Sequence, residues 1–165
     1  MTTASDCIAK LQGKTLVTAE SLTGGGIGAV LTAVPGASNV YKGGIISYTD
    51  EVKREVLGVP AAYLRTFGAV SAPVAEAMAL GARDLLHADI AISVTGLAGP
   101  TGDDFGNPVG TVFIGYADGS GVTVGEYHFS GDREAVRNQT IEAALKTLTY
   151  GSTREILRQV DEQLG

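Results

Sequence analysis

Cysteine occurs once in this chain of 165 residues, as Cys7, so no intrachain disulfide and no cysteine-based metal site can form. Near an expected exposed terminus, it reads as a bystander and not as a nucleophile. Cationic residues are also short: 12 Lys and Arg stand against 18 Asp and Glu, for a net charge of −6. That balance excludes non-specific attraction to nucleic acid or to an anionic membrane, although a local basic pocket can still hold an anionic small molecule. No apolar run approaches membrane-spanning length, and the segment from Met1 to Lys14 lacks a long apolar core. Repeats, low-complexity tracts and linkers are missing as well. A single domain over 1–165, located in the cytoplasm, is the expectation.

What is present is a globular composition, 44% hydrophobic and 18% charged, with 23 glycines clustered at turns. The apolar patterning predicts a short helix over 4–12 with Ser5 as a candidate N-cap, a strand over 14–18, and a helix over 25–33 stopped by Val34-Pro35-Gly36. A second strand runs from Gly43 to Tyr48, buried on at least one face. A short helix spans Asp50 to Leu57, and another follows Pro60 as far as Thr66. Ser71 and Pro73 open a longer helix through Leu86, with Val74, Met78, Ala82 and Leu85 on one face. Ile90 to Val94 is a nearly all-apolar third strand, as a central position requires. Strands over 109–117 and 122–129 flank the turn Ala117-Asp118-Gly119-Ser120-Gly121. Gly131-Asp132 caps a final helix over 133–149, with a continuation past Gly151 left open. The fold class expected is α/β, a three-layer α/β/α domain with a mixed sheet of about five strands.

The chemistry concentrates in Thr18-Ala19-Glu20-Ser21-Leu22-Thr23-Gly24-Gly25-Gly26, where a strand gives way to a helix through three glycines. Such a loop can present backbone N–H groups to an anion or to a developing oxyanion. A P-loop fails: Gly13-Lys14-Thr15 supplies the end of that motif, but Ile8 stands where its first glycine belongs, and a strand follows in place of a helix. A dinucleotide fingerprint fits in relaxed form, as Gly24-x-Gly26-x-x-Ala29 with Asp50 near the end of the next strand. An acyl-transfer site with Ser21 as nucleophile is the third reading, against which Ser21 merely braces the turn.

Three further segments bear on the choice. Ser47-Tyr48-Thr49 ends the second strand, and Lys53 follows one helical turn later; parallel strands would bring Ser21, Tyr48 and Lys53 to one sheet edge. Lys53 serves as a base only when neutral, and its acidic neighbours in Asp50-Glu51-Val52-Lys53-Arg54-Glu55 push the other way. The run Ser93-Val94-Thr95-Gly96-Leu97-Ala98-Gly99-Pro100-Thr101-Gly102 adds hydroxyls and N–H donors after the most buried strand. Arg133 and Arg137 lie four apart at a helix start, which suits a phosphate and equally suits pairing with Glu or a subunit contact.

Together these motifs resemble the CinA C-terminal-domain family, whose standalone form is nicotinamide-nucleotide amidase (the PncC type). The matching segments are TAESLTGG at 18–25, YKGGIISYT to Lys53, GAVS at 68–71, SVTGLAGPTG at 93–102, PVGTVFIG at 108–115 and FSGDREAVR at 129–137. They occur in family order over nearly the whole chain. The resemblance implies hydrolysis of the carboxamide of nicotinamide mononucleotide, a small-molecule nucleotide, to the acid and ammonia, with no metal or organic cofactor. It puts Ser21 in the nucleophile's place and Lys53 in that of its basic partner, and matches Tyr48 and Thr95 to site positions. Gly24, Gly25, Ser47, Gly96 and Ala98 are the expected substrate-contacting positions, with Gly24–Gly25 or Gly96 at the oxyanion and Arg133 or Arg137 at the phosphate. A homodimer or higher homo-oligomer is expected, because the late hairpin leaves a sheet edge in need of cover. Leu22 stands where relatives often carry Cys, and the loop Thr101 to Asn107 varies in length among members, so no role is carried to it. A non-catalytic nucleotide-binding module and a dinucleotide oxidoreductase remain the alternatives.

Overall fold

The computed structural model describes residues 2–151. Five strands form one mixed sheet in the order β2-β1-β3-β4-β5. They are β1 (Leu16–Glu20), β2 (Tyr41–Ile46), β3 (Ile90–Gly96), β4 (Thr111–Asp118) and β5 (Gly121–His128). β1 lies parallel to both β2 and β3, whereas β4 runs antiparallel to β3 and to β5. The helices are α1 (Ala4–Lys10), α2 (Gly26–Thr32), α3 (Asp50–Glu55), α4 (Ala61–Phe67), α5 (Ala72–Leu86) and α6 (Arg133–Tyr150).

Strand alternation sends successive side chains to opposite faces and so builds two cores. Leu16, Ile92, Val94 and Ile114 face α1, α2 and α6, where they meet Ile27, Leu31, Ala144 and Leu148. Val17, Ala19 and Ala91 face α5 and the segment after α3, against Val74, Met78, Ala82, Leu57 and Val59. This is the expected three-layer arrangement of helices on both faces of a mixed sheet. Among the described residues no helix is long and apolar enough to cross a membrane.

Several local expectations need correction. Thr3, and not Ser5, caps α1: its hydroxyl accepts from the Asp6 N–H while the Asp6 carboxylate accepts from the Thr3 N–H, a reciprocal capping box. Cys7 is fully buried, its Sγ donating to the Leu145 carbonyl at 3.2 Å, and burial pushes the thiol pKa up. β1 begins and ends two residues late, because Glu20, which looks like a strand terminator, is buried inside the strand. No residue of β2 is fully buried; half-buried and exposed positions alternate along this edge strand. Leu85 is 48% exposed, off the buried face of α5. The continuation of α6 past Gly151 lies outside the described residues.

The chain runs from β1 to the edge strand β2, then back past β1 to β3. The strand order therefore reverses between β1 and β3, and in open α/β sheets a crevice forms there, beyond the carboxyl ends. Ser21 directly follows one of these ends, and Thr95 lies at the other.

Candidate active site

A cavity of about 440 Å³ occupies that crevice, with Ser21, Leu22, Tyr48, Lys53, Thr95, Gly96, Ala98 and Arg133 in its wall. Ser21 continues the sheet pairing through its N–H, which donates to the Val94 carbonyl at 3.1 Å. Its side chain then meets Lys53, whose Nζ stands 3.0 Å from Ser21 Oγ. Lys53 is 1% exposed. Its other contacts are carbonyls: Nζ donates to Ser47 at 2.7 Å and to Tyr48 at 3.4 Å.

The local sequence explains how an amine comes to be buried here. Thr49 caps α3, its hydroxyl accepting from the Val52 N–H at 3.3 Å, which starts the helix directly after β2. Lys53 stands one turn in, on the face turned back toward the sheet edge, while Glu51, Arg54 and Glu55 are exposed. Desolvation lowers the Lys53 pKa from 10.5 to about 8, and the nearby Asp50 only partly opposes it. The acidic neighbours expected to raise this pKa lose to burial.

Ser21 is held by a frame that the sequence did not announce. Glu20 is 2% exposed and accepts four hydrogen bonds, from the hydroxyls of Thr18 (3.2 Å) and Thr23 (2.7 Å) and from the amides of Ile27 (2.8 Å) and Gly28 (3.0 Å). A buried carboxylate is tolerated when its lone pairs are satisfied in this way. Its contacts occupy the N-terminal amides of α2, where a dinucleotide pyrophosphate would have to sit. The relaxed glycine fingerprint therefore does not serve a dinucleotide. The available signal was an acid between a strand and a glycine-rich helix start, a position that favours negative charge.

Arg137 sits on the other side. Its Nε donates to the Leu22 carbonyl at 3.0 Å and its Nη2 to the Thr23 carbonyl at 3.2 Å, so it braces the turn and does not line the cavity. Arg133 does line it, with Nη1 donating to the Gly99 carbonyl and Nη2 to Tyr48 Oη, both at 2.8 Å. Tyr48, 56% exposed, thus joins the cavity through Arg133. The Thr95 hydroxyl donates to the Ala69 carbonyl at 2.8 Å.

Three expected contacts are displaced. Gly24 and Gly25 lie outside the cavity wall, and the Gly24 N–H donates to the Ser21 carbonyl at 3.1 Å; their left-handed φ values of 57° and 100° serve the turn into α2. Ser47 also lies outside the wall and meets Lys53 through its backbone carbonyl. Its buried hydroxyl has no hydrogen-bond partner among the described residues. Leu22 and Ala98 line the cavity, and their N–H groups donate to no acceptor among the described residues. No cluster of metal-ligating side chains occurs among the described residues.

Residues 2–150 match the CinA C-terminal domain. The chain is 50% identical to a putative competence-damage inducible protein of Desulforamulus reducens over 81% of its length, and 48% identical to a CinA-like protein of Geobacter metallireducens over 82%. It spans about a third of the length of these relatives, 32% and 33% respectively. Among solved structures, competence/damage inducible protein CihA of Agrobacterium tumefaciens superposes with a TM-score of 0.85 at 39% identity, covering 88% of this chain and 90% of that one. A competence-damaged protein (CinA) superfamily protein of Klebsiella pneumoniae gives 0.84 at 36% identity, covering 88% and 93%.

Proposed function

The chain belongs to the CinA C-terminal domain family, and from that premise we propose that it is an amidohydrolase acting on nicotinamide mononucleotide, releasing ammonia and nicotinate mononucleotide through a Ser21 acyl-enzyme. The observation that carries this reading is the buried contact of 3.0 Å between Lys53 Nζ and Ser21 Oγ in the cavity wall. A serine hydroxyl is a weak nucleophile unless a base takes its proton, and a lysine is a base only when neutral. With a pKa of about 8, roughly a tenth of Lys53 is neutral at pH 7. In that form two N–H groups remain for the Ser47 and Tyr48 carbonyls, and the lone pair is left for the Ser21 hydroxyl.

The steps follow from this geometry. Lys53 takes the Ser21 proton as Oγ attacks the carboxamide carbon. The amides of Leu22 and Ala98, rather than those of Gly24 and Gly25, serve the oxyanion. The C–N bond breaks as Lys53 returns the proton to the departing ammonia, and Lys53 then activates the water that hydrolyses the ester. Arg133 takes the substrate phosphate in this reading, a role supported by its position in the cavity wall, whereas Arg137 is committed to the turn. Tyr48 and Thr95 position the substrate and the cavity wall, and no metal or cofactor takes part in any step.

Release of ammonia from nicotinamide mononucleotide by the purified chain, followed in a coupled assay, tests this. Turnover that disappears in Ser21→Ala is the expected result. Tight nucleotide binding by calorimetry without any turnover would make the domain a binding module instead.

A further inference from the structure

The charge of the cavity is not that of a plain anion site. Three carboxylates, from Asp50, Asp103 and Asp104, stand in its wall against two cations, Lys53 and Arg133. Two of the three are accounted for. Asp50 lies near Lys53. Asp103 fastens its own loop, with Oδ1 accepting from the amides of Phe105 (3.1 Å) and Asn107 (3.2 Å) and Oδ2 accepting from the Asn107 side chain (2.7 Å). The Asn107 side chain also donates to the Val70 carbonyl at 3.2 Å, which ties the loop to the cavity's far wall.

Asp104 remains. It is exposed and makes no hydrogen bond or ion pair with its carboxylate among the described residues. Beside it Phe105 lines the cavity while 48% exposed. Its ring packs over Gly68, where a Cβ would come within 2.6 Å of it and where the left-handed φ of 78° itself favours glycine. An aromatic ring beside a carboxylate that has no partner among the described residues attracts a flat cation.

Resting on the amidase reading above, we infer that Asp104 and Phe105 form a subsite for a cationic heteroaromatic ring, the pyridinium of an oxidised nicotinamide nucleotide, and that the enzyme thereby discriminates against the ring-reduced form. Reduction adds a hydride to the ring, removing both its positive charge and its aromaticity, while the carboxamide, ribose and phosphate are unchanged. Arg133 takes the phosphate in either case, so the difference in binding reports the ring.

Calorimetric titration of Ser21→Ala protein with oxidised and with dihydro nicotinamide mononucleotide reads this directly. The oxidised form should bind about tenfold more tightly, and adding Asp104→Asn should remove most of that preference while changing the Kd of the reduced form less than about twofold. Phe105→Leu should lower the preference likewise. Equal binding of the two forms, absence of binding, or an Asp104→Asn effect that is nil or equal on both would overturn the subsite. The wild-type ammonia assay separates the two claims: turnover of the oxidised nucleotide without a charge preference sinks the subsite alone, and no turnover sinks the amidase reading.

Discussion

A lysine ammonium taken out of water keeps its charge only if the groups around it replace its hydration. Around Lys53 they are two carbonyls and one hydroxyl, with Asp50 as a nearby carboxylate, and the pKa settles at about 8. The rate constant kcat/KM should therefore rise with pH and level off above about 8, a profile that Lys53→Arg, which cannot lose its proton, should abolish along with the activity. Stability carries the same signature. In the unfolded chain Lys53 titrates at its ordinary value, so between pH 8 and 10.5 the unfolded state binds more protons than the native one. Unfolding free energy should then climb across that window by about 3 kcal/mol from this residue, having been lower by that amount below it. Lys53→Met should remove the climb, measured as the difference in urea stability between the two proteins at pH 7 and pH 10.5. A slope shared equally by both would contradict the burial account. The sequence showed Lys53 among acids and so pointed toward a raised pKa. What it could not show is that Glu51 and Glu55 face solvent while the amine turns inward.

At the scale of elements, the turn between β1 and α2 is clamped from two sides, by Glu20 beneath and Arg137 above. Glu20→Ala would leave buried amides without an acceptor, and a loss of about 2–4 kcal/mol in urea unfolding is expected. A change within 0.5 kcal/mol would mean that this carboxylate does not hold the turn. α5 approaches the chain just after α3 so closely that a Cβ at Gly81 would lie 1.9 Å from the Leu57 carbonyl oxygen. Gly81→Ala should thus destabilise by at least about 1–3 kcal/mol and, by displacing the segment that follows Lys53, lower activity as well. Element type was legible because the period of the pattern was clear: Val74, Met78 and Ala82 for α5, and an apolar run for β3. Boundaries and caps were less so. Ser5 and Thr3 are equally good caps on paper, and only the reciprocal bond with Asp6 decides between them. Arg133 and Arg137 read as one phosphate clamp because helical spacing puts them on one face. The side chains then diverge, one to Tyr48 and Gly99, the other to Leu22 and Thr23.

For the molecule as a whole, sheet order decides where chemistry can occur. With β1 between β2 and β3, all three parallel strands end at one edge, and Ser21, the Ser47–Tyr48 carbonyls and Thr95 arrive there together. Parallel pairing of the first two strands was inferable from the intervening helix, and the grouping of Ser21 with Lys53 with it. The N–H groups of Leu22 and Ala98 were not, since nothing in the residue types distinguishes them from the amides of the neighbouring glycines. Among the described residues no strand pairs with the outer side of β2 or of β5, the two edge strands. A homo-oligomer is the expected means of covering one of them, so analytical ultracentrifugation should give a mass of at least twice the chain; a monomer at micromolar concentration would contradict it.

The central claim is that a buried, neutral Lys53 makes the Ser21 hydroxyl a nucleophile toward an amide. Ammonia release from nicotinamide mononucleotide, measured side by side for wild type, Ser21→Ala, Lys53→Ala and the double variant, tests it most directly. Wild-type turnover with each variant lowered by a factor of about 10³ or more, and the double variant no worse than either single one, is the expected pattern. Full activity in Ser21→Ala, or none in the wild type under conditions where the nucleotide binds, would contradict it.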